Sequence, residues 1–271
     1  MIEPTDRAFL ADLCLQRAGL QVDPEKAYLI DSRIAPVARR EGFASPRDFV
    51  DALRADPDGR MSWALVEALS QSETDFFRDR RVFVHLVDEV LPALAAAHGG
   101  QPVRVWSAAC GAGQEIYSLA MMLADAPGTP TATELYASDL SERALEKAQA
   151  GLYSQFEIQR GLPARTLVRH FEKQGDSFVL SPRIRQMIRW RRVNLLDDLS
   201  RLGQFDLILC RHLLPQLAPG AQALVLAQLQ RSLAPGGRLV LGLRDPTGDL
   251  VAVDPAFGVY AAPSEAARSA A

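Results

Sequence analysis

The stretch "RVWSAACGAGQEIYSLAMML", Arg104 to Leu123, decides the fold of this chain. It reads as a buried strand, a glycine-bearing turn and a long apolar helix. In an open parallel sheet, ligands bind beyond the carboxyl ends of the strands near the switch point, and "AACGAGQE" occupies that place. Gly111 and Gly113 allow the backbone to pass close to a ligand. A dinucleotide fingerprint requires a third glycine at position 116, which is Ile116 here, and no GK[ST] follows, so the dinucleotide reading weakens and the NTPase reading fails.

Downstream of that turn, strands and helices alternate. "TELYASDL" is a strand, and "SERALEKAQAGLY" a helix capped by Ser141. "FDLILCR" is a strand, "GAQALVLAQLQRSLAPGG" a helix stopped by Gly236 and Gly237, and "RLVLGL" a strand. "DPAFGVYAAP" supplies a last strand. This alternation predicts a doubly wound, Rossmann-like α/β domain. Asp139, at the end of its strand, places a carboxylate where it accepts hydrogen bonds from two ribose hydroxyls. That suits NAD or S-adenosylmethionine alike, and an ordinary helix N-cap region is the plainer reading. "LAPGGRLVLG" is frequent in S-adenosylmethionine-dependent methyltransferases, and the features together favour that cofactor over a nicotinamide.

Upstream, the chain reads as helix. "SPRDFVDALRAD" has Ser45 as N-cap, Pro46 at the first helical position, and Phe49, Val50 and Leu53 on one face. "MSWALVEALSQ" and "RVFVHLVDEVLPALAAA" carry the same period. Gly99 and Gly100 in "AAAHGGQP" read as a boundary. The predicted organisation is a helical domain over 1–95, a linker over 96–100, an α/β domain over 101–263 and a tail over 264–271.

Composition excludes several classes. The chain has 271 residues, 48% of them hydrophobic, and a formal charge of -3, which creates no global attraction to nucleic acid or anionic lipid. Cys14, Cys110 and Cys210 are far apart and form no CxxC pair, so neither a disulfide framework nor a metal site is expected. "MIEPTDRAFLADLC" lacks a signal-peptide pattern and no apolar run spans a membrane, so a cytoplasmic location is expected.

Four stretches resemble one family, the CheR chemotaxis-receptor glutamate methyltransferases. "SETDFFRD" (Ser72 to Asp79) resembles N-E-T-x-F-F-R-[DE], and "RVWSAACGAGQEIYSLAM" resembles R-[IV]-W-S-A-[GA]-[CA]-S-T-G-E-E-P-Y-S-[LI]-A-M. "ASDLSERALEKAQAGLYS" resembles the A-[ST]-D-I stretch and the helix after it. "VNLLDD" followed by "FDLILCRHLL" resembles V-N-L and then F-D-x-I-[FL]-C-R-N. The resemblance implies an all-helical N-terminal domain before the methyltransferase domain, and S-adenosylmethionine as cofactor with S-adenosylhomocysteine as product. Its cofactor contacts carry over to Thr74, Arg78, Glu115, Asp139, Asn194, Leu195 and Arg211, with Ser72, Gly111 and His212 at motif positions beside them. Thr74 and Arg78 would lie where the helical domain closes over the site. Phe76 and Phe77 read as core.

The departures cluster at the expected site. Ser72 replaces an asparagine, Ala112 a threonine and Gln114 a glutamate. His212 stands where an asparagine is expected and reads as structural rather than as a base. Gln216 stands where the family has a tyrosine beside the reacting group, and "GLRD" (Gly242 to Asp245) replaces G-H-S-E. Arg78 and Gln216 are therefore the catalytic candidates. The reading is methyl transfer to glutamate side chains of a chemoreceptor's cytoplasmic signalling domain or a similar acidic helical protein. A degenerate homologue that holds the cofactor without turnover, and a methyltransferase for another protein or RNA, are the alternatives.

Residues 160–192 carry nine Arg or Lys against Glu172 and Asp176. In the family this region is a small β insertion. It is short here and lacks a glycine-rich loop, so no tethering peptide is expected. It reads equally as a solvated hairpin or as a docking surface for an acidic helix; nucleic acid fits poorly because aromatics are few.

Overall fold

The computed structural model describes residues 2–70, 74–126 and 132–263. Two compact units emerge: 1–71 with Leu214–Val225, and 72–213 with 226–271.

The first unit holds four helices, α1 (Pro4–Ala18), α2 (Ala27–Arg40), α3 (Pro46–Ala55) and α4 (Arg60–Leu69). Ser45 caps α3 as expected, its hydroxyl accepting from the Asp48 amide at 3.2 Å. Leu10, Leu13, Ile30, Ile34, Phe49, Leu53 and Leu65 are buried, at the helical spacing that gives each helix one apolar face. Leu214–Val225 is tied to the end of α1, since Gln21 donates to the Gln216 carbonyl and Ala218 to that of Gly19, both at 2.8 Å.

The second unit is built on ten strands: β1 (Val103–Ser107), β2 (Thr133–Asp139), β3 (Leu152–Ser154), β4 (Phe171–Gln174), β5 (Ser177–Leu180), β6 (Ile188–Arg192), β7 (Phe205–Cys210), β8 (Leu233–Leu241), β9 (Val251–Asp254) and β10 (Val259–Ala261). Seven form one sheet in the order β6-β2-β1-β7-β8-β10-β9. The first five are parallel, and β10 and β9 add an antiparallel edge. The chain builds outward from β1 through β2 to β6, then returns to β7 on the other side of β1. The switch point therefore lies between β1 and β7.

Several expectations need correction. The helical segment before β1 is not part of the N-terminal unit. Phe76, Phe77, Val82, Phe83, Leu86, Leu91 and Leu94 share one core with Val103, Val105, Leu135 and Leu207. Each such large apolar side chain contributes roughly 1.5–3 kcal/mol on burial, so this segment belongs with the sheet. The division falls at 71/72 instead of 96–100, and Gly99 and Gly100, at φ +58° and +92°, only turn the chain into β1. That segment is also interrupted: Arg80–His85 is α-helical, Leu86–Val90 is a π-turn and Leu91–Ala97 resumes the α-helix. Pro92 offers no amide and its ring opposes the carbonyl four residues back, which displaces the ladder there.

The basic stretch 160–192 is not one insertion. A separate three-stranded sheet, β3-β5-β4, starts upstream at Leu152, whereas β6 is the parallel edge of the main sheet, with Ile188 opposite Leu135. Its cations are partly paired, Arg160 with Asp75, Arg169 with Asp125, Arg189 with Glu134 and Arg192 with Glu142. The helix before β8 ends at Arg231, and Gly236 and Gly237 lie within β8. There the register jumps from Phe205↔Leu233 to Leu207↔Arg238, which accommodates the extra residues as a bulge. The predicted tail, 264–271, lies outside the described residues.

Candidate functional site

The turn after β1 is anchored by the end of β2. Gly111 donates its amide to Asp139 Oδ2 at 2.8 Å, and Ser141 donates to Oδ1 at 2.9 Å. A carboxylate oxygen has two lone pairs and can accept more than one hydrogen bond. Tyr153 steadies the turn from the small sheet, its hydroxyl donating to the Ala112 carbonyl at 2.7 Å.

The two glycines have different roles. Both have left-handed backbone, φ +53° at Gly111 and +87° at Gly113. A Cβ on Gly113 would lie 3.0 Å from Ala148 Cβ and 3.1 Å from both Trp190 and Tyr117, so protein fills that side. Among the described residues, a Cβ on Gly111 would meet only the Thr74 side chain, at 3.2 Å. Gly111 therefore offers a backbone cradle walled by Thr74.

A charged network forms beside it. Arg211, just beyond β7, donates through Nη1 to Glu115 Oε2 at 2.8 Å and to the Arg78 carbonyl at 3.2 Å. Its Nη2 reaches Asp79 Oδ2 at 2.5 Å, and His212 Nε2 lies 3.6 Å from that same oxygen. The Arg211 side chain is 1% exposed, so it is compensated almost wholly by these two acids. Burial raises the Glu115 carboxyl above its ordinary pKa, a push that Arg211 and Arg78 oppose. Burial, with Arg211 and Arg78 nearby, lowers the His212 imidazole against the opposing pull of Asp245 and Asp79, so it is neutral at pH 7. Burial also raises the Cys110 and Cys210 thiols, which leaves them protonated and inert.

The loop that carries Thr74 and Arg78 is strained. Phe77 and Asp79 have φ +51° and +58°, uncommon for residues other than glycine. The strain is held by core burial of Phe76 and Phe77, as the sequence predicts, and by the Phe77 amide donating to Ser118 Oγ at 2.9 Å.

The structure thus brings together Thr74, Gly111 and Asp139 in one cluster, and Arg78, Glu115, Arg211 and His212 in another. Asn194 and Leu195 follow β6, and Val193 donates to the Asp139 carbonyl at 3.1 Å, which holds that turn beside Asp139. Ser72 lies outside the described residues. Gln216 falls in the Leu214–Gln216 turn of the first unit. The sequence reading missed Asp79, although it closes the "SETDFFRD" stretch, and it took Asp245 only as a departure. The residues present fit S-adenosylmethionine: Gly111 is a left-handed turn glycine beside Thr74, Asp139 is a carboxylate at the end of β2, the residue type that binds a ribose diol, and Glu115 and Arg211 offer opposite charges to an α-amino acid. Within this network the buried Arg211 Nε has no hydrogen-bond partner among the described residues, which a polar ligand could supply.

Comparison with known proteins agrees. Residues 72–249 match the CheR methyltransferase SAM-binding domain, and residues 5–70 match the CheR methyltransferase all-alpha domain. The chain is 34% identical over 250 residues to chemotaxis protein methyltransferase 1 of Pseudomonas aeruginosa, covering 90% of this chain and 89% of that protein. It is 32% identical to chemotaxis protein methyltransferase Cher2 of Pseudomonas putida, over 90% of each chain. A chemotaxis protein methyltransferase of Vibrio parahaemolyticus is 34% identical, over 86% of this chain and 85% of its own. With both domains matched in order and S-adenosylmethionine as its cofactor, the chain belongs to the CheR methyltransferase family.

Proposed function

We propose that this methyltransferase acts on glutamate side chains of a chemoreceptor's cytoplasmic signalling domain, or of a similar acidic helical protein, in the cytoplasm. The observation that carries the reading is the Gly111–Asp139 hydrogen bond, which joins the turn after β1 to the end of β2, together with the Arg211–Glu115 pair. The names of the relatives support the substrate class. No described helix is long and apolar enough to cross a membrane.

In this reading Asp139 would hold the ribose, and Asn194, Leu195, Thr74 and Gly111 would contact the rest of the nucleoside end. Glu115, Arg211 and Arg78 receive its amino-acid end, with Ser72 and His212 beside them. The bound cofactor supplies an electrophilic methyl group on a sulfonium. A glutamate side chain has a pKa of about 4.3, so its carboxylate is already a nucleophile at neutral pH. No general base is required, and the neutral His212 is not asked to be one. The chain's task is alignment, which contributes on the order of 7–11 kcal/mol in well-oriented reactions. Gln216 replaces an orienting residue whose single hydrogen bond is worth about 0.5–1.5 kcal/mol, so its change weakens turnover without removing it.

Single-turnover labelling tests this. The protein is incubated with methyl-labelled S-adenosylmethionine and receptor cytoplasmic domains, and incorporated label is treated with mild alkali. Glutamyl esters release labelled methanol; alkali-stable label would refute glutamate as acceptor. Gln216→Tyr should raise the rate about tenfold, the equivalent of one transition-state hydrogen bond. Labelling by neither form, across several receptors, would refute the reading.

A further inference from the structure

Asp245 lies just past β8, is 8% exposed, and has no role in the site as described so far. Its Oδ2 accepts two backbone amides, from His212 at 2.7 Å and Gly242 at 2.8 Å. Those amides emerge immediately beyond the ends of two paired neighbours, β7 and β8, where Cys210 lies opposite Leu241. The Asp245 amide donates back to the Gly242 carbonyl at 2.9 Å, which closes a tight turn under the carboxylate.

This contact is close on every side. A Cβ on Gly242 would fall 2.8 Å from His212 Nδ1 and 2.9 Å from each Asp245 carboxylate oxygen. Only a glycine lets the acid and the imidazole meet over the strand end. His212 itself adopts φ +65°, uncommon for residues other than glycine. The chain leaving β7 must nevertheless turn there, because Arg211 has to point back towards Glu115 and Asp79. An ionised acceptor makes stronger hydrogen bonds than a neutral one, so a carboxylate under the His212 amide offsets that strain.

We propose that Asp245 is a positioning residue for the cofactor site: by holding the His212 amide it fixes the backbone from which Arg211 reaches Glu115 and Asp79. Arg211 and His212 are then held by three acids, with Glu115 on the Arg211 guanidinium. Asp79 engages their side chains, and Asp245 engages the main chain between the strands. The "GLRD" stretch, which departs from the family pattern, is on this account a supporting part of the site. The inference rests on the proposed reading that Arg211 and Glu115 face the cofactor.

The test uses Asp245→Asn in the full chain. Asparagine keeps a carbonyl oxygen, so the turn can still close, but it loses the charge that strengthens the two hydrogen bonds holding His212 and Gly242. Two readouts are taken: calorimetric affinity for S-adenosylhomocysteine, and the NMR titration of His212. The charged groups facing His212 are Arg211, Arg78, Asp245 and Asp79. Removing one of its two acids should move the His212 titration to lower pH, and the loosened Arg211 should weaken binding tenfold or more. The proposal requires both changes, and the absence of either overturns it. Normal binding by Asp139→Ala and Glu115→Gln, with the His212 shift intact in Asp245→Asn, would instead refute the cofactor-site reading.

Discussion

Gly111 and Asp139 are joined by a 2.8 Å hydrogen bond that links the turn after β1 to the tip of the neighbouring strand, β2. The same carboxylate holds the Ser141 amide at the start of the next helix. One side chain therefore shapes the backbone of that turn and, in the proposed reading, is the acceptor for the cofactor's ribose.

Asp139→Ala should weaken S-adenosylhomocysteine binding by about 1.5–3 kcal/mol, the range for hydrogen bonds to a charged group. Isothermal calorimetry measures it. Unchanged affinity would remove Asp139 from the site.

The two turn glycines should respond differently to alanine. Left-handed backbone costs a side-chain-bearing residue roughly 1–2 kcal/mol at either position. Gly113→Ala adds a clash with Ala148, Trp190 and Tyr117, so its total loss of stability should be about 2–5 kcal/mol. Gly111→Ala should lose less stability but more cofactor affinity, because its methyl group enters the cradle beside Thr74. Urea denaturation and calorimetry on the pair separate the two effects.

Arg211→Met removes the cation that pairs with both Glu115 and Asp79, leaving Arg78 to act on Glu115. Breaking a buried pair costs about 3–5 kcal/mol. Asp79 is 37% exposed and water screens it, so the lower end of that range is expected. Denaturant titration at pH 7 reads the loss. A variant as stable as the original chain would show that the pair contributes nothing.

His212 makes stability depend on pH. Its folded pKa lies below its ordinary value of 6.5, so the unfolded chain binds the proton more readily. The associated stability is present above pH 6.5 and is lost as pH falls through the folded value. His212→Asn lacks that proton site, so its melting temperature should fall less than that of the original chain between pH 7 and pH 5. Parallel shifts in both proteins would contradict the assignment.

Much of this protein is legible along the chain. The helix at Gln114–Asp125, the glycine turn before it and the strand that ends at Asp139 follow from local period and composition. Ser45 and Ser141 cap their helices where the spacing places them, with amides 3.2 Å and 3.0 Å away. Capping, glycine conformation and strand alternation act over a few residues, so sequence alone reports them. The order of the motifs likewise identifies the family, because each motif is a contiguous string.

What required the folded chain is every choice of partner. Apolar spacing shows that the segment around Phe83 buries a face, but not that the face lies against the sheet. The period of β6 and its basic residues suit a surface hairpin as well as a sheet edge. Glu115 and Arg211 meet across 96 residues of sequence, and Arg211 and Asp79 across 132. Asp245 reads as the end of a departure from the family pattern until His212 and Gly242 are found on its carboxylate. Burial and ion pairing are satisfied between distant segments, so local sequence sets which faces need covering, and only tertiary packing selects what covers them.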